Sequence, residues 1–223
     1  MKRGLVLVEG QTEERFVNEC LAPYLLAKEL VLSSTIVKTK RVVGGPHFKG
    51  GLWSYSKVRR DLGLLLHDSN ASVITTLFDY YALPTDFPGM TDRPAGRPRD
   101  RVEHVESAWA TSVGDVRFVP HVVLHEFEAW VYAEPSRLEP WMFDDDVKVI
   151  PAITAVAVAH RTPEDIDEGP QTAPSKRLLN AFTGYQKTLH GPLAVSAIGI
   201  DRIRAVCPHF AQWLDRLEAV AAR

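Results

Sequence analysis

Four apolar residues in a row, Leu5-Val6-Leu7-Val8, are followed by Glu9, Gly10, Gln11, Thr12, Glu13 and Glu14. The run is too short and too uniform for a surface helix. It predicts a strand buried on both faces, as in a parallel sheet. Gly10 suits a tight turn, Thr12 a helix cap, and Glu13 and Glu14 the positive end of that helix. Phe16, Val17, Cys20, Leu21, Tyr24 and Leu25 then recur at helical spacing. They predict a helix from Glu13 to about Leu32, kinked or split at Pro23. A second strand is expected over Thr35–Val43. The stretch Gly44–Gly51 reads as a flexible turn in preference to a phosphate cradle, because it lacks P-loop spacing.

Helical spacing returns over Trp53–His67, with Val58, Leu62, Leu65 and Leu66 on one side. Ser72–Phe78 is the next buried strand, and it ends at Asp79. A long Pro/Gly-rich loop runs to Pro98, a helix is expected over Arg99–Ser112, and a strand over Val116–Leu124 is interrupted by Pro120. That strand runs into His125-Glu126-Phe127-Glu128, where another helix is expected. The alternation β-α-β-α-β-α-β predicts an α/β fold, a mostly parallel central sheet flanked by helices. Beyond Glu134 the pattern is Pro-punctuated and helical, including Pro151–His160, Ser175–Phe182, Leu193–Ile198 and Pro208–Ala222. We read 1–134 as an α/β core and 135–223 as a helical extension packed on it.

Composition narrows the function. The 223 residues are 45% hydrophobic with a formal charge of −2, so a real core is expected and a general cationic coat is not. Nucleic-acid binding would need a local basic patch. Two distant cysteines, Cys20 and Cys207, argue against a disulfide scaffold or a zinc site and fit a reducing cytoplasm. No apolar run reaches membrane-spanning length, and Met1-Lys2-Arg3-Gly4 leads straight into a strand without a signal peptide.

The candidate chemistry lies at strand ends. Glu9, Asp79 and Glu126 each follow a predicted strand, with Glu13 and Glu128 a few residues on. Parallel strands bring their carboxyl ends to one edge, where ligands of open α/β sheets bind. Converging carboxylates suit Mg2+ or Mn2+, hard cations that take oxygen ligands. The competing reading makes each acid a helix N-terminal charge or a solvated turn residue. His125 beside them is a candidate acid, base or phosphate holder, or else a packed structural histidine. Arg93, Arg97, Arg99 and Arg101 form either a phosphate-binding lid or a solvated charge run. Ser175 is expected as a helix cap, which puts Lys176 and Arg177 at a positive helix end unless an anion docks there.

Several blocks carry a resemblance. Val-Glu-Gly-Gln-Thr-Glu-Glu (8–14) with a strand ending in Asp79 resembles the Toprim fold of topoisomerases, primases and nucleases. With Phe-Asp-Tyr-Tyr-Ala-Leu-Pro (78–84), His-Glu-Phe-Glu-Ala (125–129), Thr-Ala-Pro-Ser-Lys-Arg (172–177), Gly-Tyr-Gln-Lys (184–187) and Cys-Pro-His-Phe (207–210), the chain is similar nearly end to end to the bacterial Toprim-like family of unknown function numbered 4276. The site also resembles that of nucleases in the overcoming-lysogenization-defect class. The resemblance implies a Toprim-like (Rossmann-like) fold and a magnesium-dependent nuclease acting on DNA or RNA. Glu9, Asp79, Glu126 and Glu128 would hold metal, with Glu13 and His125 in the catalytic set. Lys176, Arg177 and Lys187, with Arg97 and Arg99, would meet phosphate. It further implies an ATPase partner protein and a place in anti-phage defence. Toprim's second aspartate falls at Tyr81, a poor magnesium ligand. That leaves open a one-metal enzyme, a retired one that serves as a regulatory subunit, or a phosphatase or nucleotidyl-transferring variant.

Overall fold

The computed structural model describes residues 1–37, 54–143, 146–166, 169 and 171–222. The expected Gly44–Gly51 turn therefore lies outside the described residues. Five strands, β1 (Lys2–Val8), β2 (Leu30–Ile36), β3 (Val73–Asp79), β4 (Phe118–Val119) and β5 (Val122–Val123), pair in parallel. The order is β2-β1-β3-β4, with β5 also on β3. Between them run α1 (Gln11–Phe16), α2 (Ala22–Leu26), α3 (Tyr55–Leu66) and α4 (Pro98–Val113). After the sheet come 3-10 segments at Phe127–Ala133 and Pro135–Trp141, then α5 (Ile150–Val158), α6 (Pro174–Ala181), α7 (Lys187–Ile198), α8 (Ile200–Val206) and α9 (Pro208–Ala221). The chain is an α/β fold with a helix-flanked, parallel sheet and helices at its C-terminal end.

The uniform apolar strands are explained by burial on two faces. Val6 and Val8 of β1 and Val73 and Leu77 of β3 enter one hydrophobic cluster, with Phe16 of α1 and Phe210, Trp213, Leu214 and Leu217 of α9. Their neighbours Leu5, Leu7, Ile74 and Phe78 enter the other, against α3 and α4. Gly4 lets β1 pass closely between its neighbours: a Cβ there would stand 2.5 Å from Leu32 Cδ2 and 2.9 Å from Val73 Cγ1.

Local details depart from the sequence expectations. The first helix ends at Leu26, not near Leu32, because Glu29 takes a left-handed turn (φ 67°) and starts a strand five residues before the expected Thr35. The kink expected at Pro23 is a five-residue π-turn, Val17–Leu21, which joins α1 to α2. Proline lacks an N–H and crowds the carbonyl four residues back, and widening the preceding turn relieves both. Thr12 is not the cap of α1. Gly10 holds that position, and its N–H donates to Glu13 Oε2 at 2.9 Å. Ala173, not Ser175, caps α6. After Glu126 the expected helix is a 3-10 segment. Among the described residues no helix is long and apolar enough to cross a membrane.

Candidate functional site

Strand order turns at β1. β2 lies on one side of it and β3 on the other, so the crevice beyond the carboxyl ends of β1 and β3 is the switch point where such sheets take ligands. Glu9 follows β1 directly, Asp79 is the last residue of β3, and Glu126 and Glu128 come just after β5, which pairs with the end of β3. Glu13, on the first turn of α1, completes the group. Backbone amides aim these acids. Phe127 N–H donates to Asp79 Oδ1 at 2.8 Å, Asp79 N–H points at Glu9 Oε2 at 3.4 Å, and Gly10 N–H holds Glu13.

The carboxyls feel one another. Burial and then Glu13 push Glu9 up to about 7. Burial, against the opposing pull of Lys187 and with the push of Glu126, takes Glu128 to about 7. Burial followed by the charges of Glu13 and Glu9 raises Asp79 well above the usual range, and burial raises Glu13. These are the marks of like charges crowded in low dielectric without enough positive charge.

Lys187, at the start of α7, supplies part of it. Its ammonium lies 3.1 Å from Glu126 and 3.6 Å from Glu128. Expected at phosphate, it sits among the acids as their counter-ion. Glu126 also accepts Ser175 N–H and Ser175 Oγ–H, both at 2.9 Å, so its two oxygens are occupied by protein donors. That makes Glu126 an anchor between β5, α6 and α7. Glu9, Asp79, Glu13 and Glu128 remain as the acids best able to face a cation.

Other expected residues fall elsewhere. His125 is fully buried with φ 67°, and its carbonyl accepts Tyr81 N–H. It turns the chain into the site, and a buried turn residue is a poor acid, base or phosphate holder. Arg97 and Arg99 pair with Asp100 and Glu103 on α4 itself, while Arg93 donates to Tyr80 Oη and Met90 O. Among the described residues neither Arg97 nor Arg99 makes an ion pair with the strand-end acids. Arg177 donates to Thr172 O, and Lys176 is exposed on α6 beside Ser175. Tyr81 is 57% exposed.

Sequence reasoning missed one hydroxyl. Tyr185 Oη is buried with no hydrogen-bond partner among the described residues. Burial and then the charges of Glu128, Tyr132 and Glu126 raise its ionisation well above the ordinary value, which puts it in reach of the acid cluster's field. Its place in the Gly-Tyr-Gln-Lys block, two residues before Lys187, was the available signal.

A fit test for magnesium rests on this donor set. Magnesium uses one or two carboxylates and keeps several waters, so half-buried Glu9 and Asp79, whose charges act on each other, suit it. The acids are not drawn tightly together. Among the described residues, the group whose donor atoms all lie within 4.8 Å of one another is a different one, Glu106, His121 and His209, and that group could hold a metal ion.

A protein-family model described as Domain of unknown function (DUF4276) matches residues 8–218. No curated protein matches the chain. No solved structure matches it either.

Proposed function

The chain belongs to the DUF4276 family, and on the premise that this membership leaves the chemistry open, we propose that the protein is a magnesium- or manganese-dependent nuclease of Toprim type. It would hydrolyse phosphodiester bonds of DNA or RNA. The observation that carries this reading is the convergence of Glu9, Asp79 and Glu128 at the sheet's switch point, where their charges act on one another. Glu9, Asp79 and Glu128 would hold the ion, and Glu13 would complete its water shell. When bound, such an ion polarises a phosphodiester and makes hydroxide available near neutral pH.

The rest of the work falls to the chain's own groups. Phe127 N–H fixes one oxygen of Asp79 and leaves the other for the ion. Glu126, held by Ser175 and Lys187, positions α6 and α7 against the site. In this reading the buried Tyr185 Oη would donate a hydrogen bond to a phosphate oxygen once substrate opens a way to it, and exposed Lys176 would meet the backbone beyond. Action with an ATPase partner in anti-phage defence is part of the proposal.

Calorimetric titration with Mg2+ and Mn2+, together with cleavage assays on plasmid, single-stranded DNA and tRNA, tests the reading. Glu9→Gln should lower metal affinity by more than the roughly 10–100-fold that losing an outer-shell partner costs, and should abolish cleavage. Cleavage that survives this change would sink the assignment. A second reading, a non-catalytic regulatory subunit, is favoured by Lys187 already standing among the acids and by exposed Tyr81 in place of a second aspartate. It expects no binding at millimolar metal, with an ATPase partner co-expressed or without one.

A further inference from the structure

A second set of titratable side chains is buried where α4, the β4–β5 connection and α9 meet. Glu106, His121 and His209 are 6%, 1% and 2% exposed. His209 Nε2 lies 3.1 Å from Glu106 Oε2, and His121 Nδ1 lies 3.5 Å from Glu106 Oε1. Two donors each about 2.1 Å from one zinc ion, at the tetrahedral angle, stand about 3.4 Å apart. The two His–Glu106 distances bracket that value, though they run to different oxygens, and one donor atom from each residue lies within 4.8 Å of the others, so a small closing movement would seat one ion. We propose that Glu106, His121 and His209 form a binding site for one divalent transition ion of the zinc class.

The chemistry of the set selects that class. Two imidazoles and one carboxylate suit zinc and its neighbours, whereas magnesium prefers oxygen alone. Hydrogen bonds fix Glu106 and the main chain that carries the two histidines. Val122 N–H donates to Glu106 Oε1 at 2.8 Å. Thr76 Oγ1 accepts His121 N–H and donates to His121 O. Glu164 accepts the N–H groups of His209 and Phe210, each at 2.9 Å, which fixes the start of α9.

Two imidazoles, through His121 Nδ1 and His209 Nε2, crowd one buried carboxylate. One donor atom from each of the three side chains lies within 4.8 Å of the others, the grouping a single ion can share. Glu106 also lines a cavity of about 360 Å³ with Glu103, Pro120 and Arg216, which gives an ion a way in. Any proton shared by His209 and Glu106 leaves to solvent when the ion binds.

The test uses the full chain stripped by a strong chelator and then titrated with Zn2+ or Co2+ in excess Mg2+, which saturates the acidic site. The Trp213 ring lies parallel to His121 at 4.3 Å, so Co2+ should quench its fluorescence and give visible ligand-field bands. We expect one equivalent of Zn2+ by calorimetry, unchanged in a Glu9→Gln, Glu128→Gln double variant. His121→Gln and His209→Gln should each weaken it by at least tenfold. Should those variants fail to fold, anomalous scattering from a zinc-soaked crystal of the unaltered protein still decides. A peak among the three side chains supports the site. Its absence, or Zn2+ binding lost with the acid variants and kept without His209, overturns the proposal and leaves the three as a metal-free ion-pair knot. The outcome is independent of whether the protein is a nuclease.

Discussion

Lys187 Nζ stands 3.1 Å from Glu126 Oε1, joining the first turn of α7 to the residue that opens the 3-10 segment after β5. The pair lies within a group of acids short of positive charge, so the lysine holds the place that a cation would otherwise neutralise. Lys187→Gln should therefore destabilise the metal-free protein. A buried pair broken on one side costs about 3–5 kcal/mol, but the Lys187 side chain is 42% exposed, so we expect about 1–2 kcal/mol. Millimolar Mg2+ should raise the melting temperature of the variant more than that of the unaltered protein. Equal gains in both would show that Lys187 and the cation do not compete.

Glu128 links stability to pH. Its carboxyl is held at about 7 against an ordinary 4.5, chiefly by burial. The folded chain thus keeps this proton where the unfolded chain has lost it. The acid costs nothing below about pH 4.5, and stability is lost as pH rises toward 7. A shift of that size corresponds to about 3 kcal/mol at most. Glu128→Gln removes the penalty, so in chelator its melting temperature relative to the unaltered protein should climb between pH 5 and pH 8. A flat difference across that range would refute the claim.

Tyr185→Phe deletes a buried hydroxyl that lacks a partner among the described residues. Stability should hold or rise slightly, since an unsatisfied polar atom costs about 1–3 kcal/mol. If the hydroxyl meets substrate, cleavage should fall while Mg2+ affinity stays the same. Calorimetry and single-turnover rates on one preparation separate the two effects.

Gly4→Ala tests the packing of the central strand. Leu32 can swing its Cδ2 aside, but Val73 is β-branched and stiff, so the clash at its Cγ1 must be met by backbone movement. Overpacking of this kind costs about 1–3 kcal/mol, to be read from urea unfolding, and Gly4→Val should cost more.

The strand-end acids were legible because Leu5–Val8 is an unbroken apolar run and Ser72–Phe78 a β-branched and apolar one, and each stops at a carboxylate. Parallel geometry then does the gathering. The boundary of the first helix was not legible. Leu32 prolongs the helical spacing of Leu21 and Leu25, and the turn that ends the helix falls on Glu29, with no glycine or proline to mark it. Ser175 was legible as a helix-start residue but not as a donor to Glu126, a contact across 49 residues of chain. The Glu106, His121 and His209 group has no local spacing at all. One clue was present: Glu106 sits on the buried stripe of α4 with Val102, Val105 and Trp109, where an unpaired acid would be costly.

The π-turn at Val17–Leu21 fits one more residue into its turn than a regular helix allows. Each helical residue rotates the chain by about 100°. Rewinding these five residues as regular helix, with none removed, would thus keep Glu13 where it is and swing Tyr24 and Leu25 round the axis, off the patch of core they now cover. The segment is a phase adjuster, letting the piece that carries Glu13 and the piece that packs Tyr24 and Leu25 each face its own target along one continuous rod.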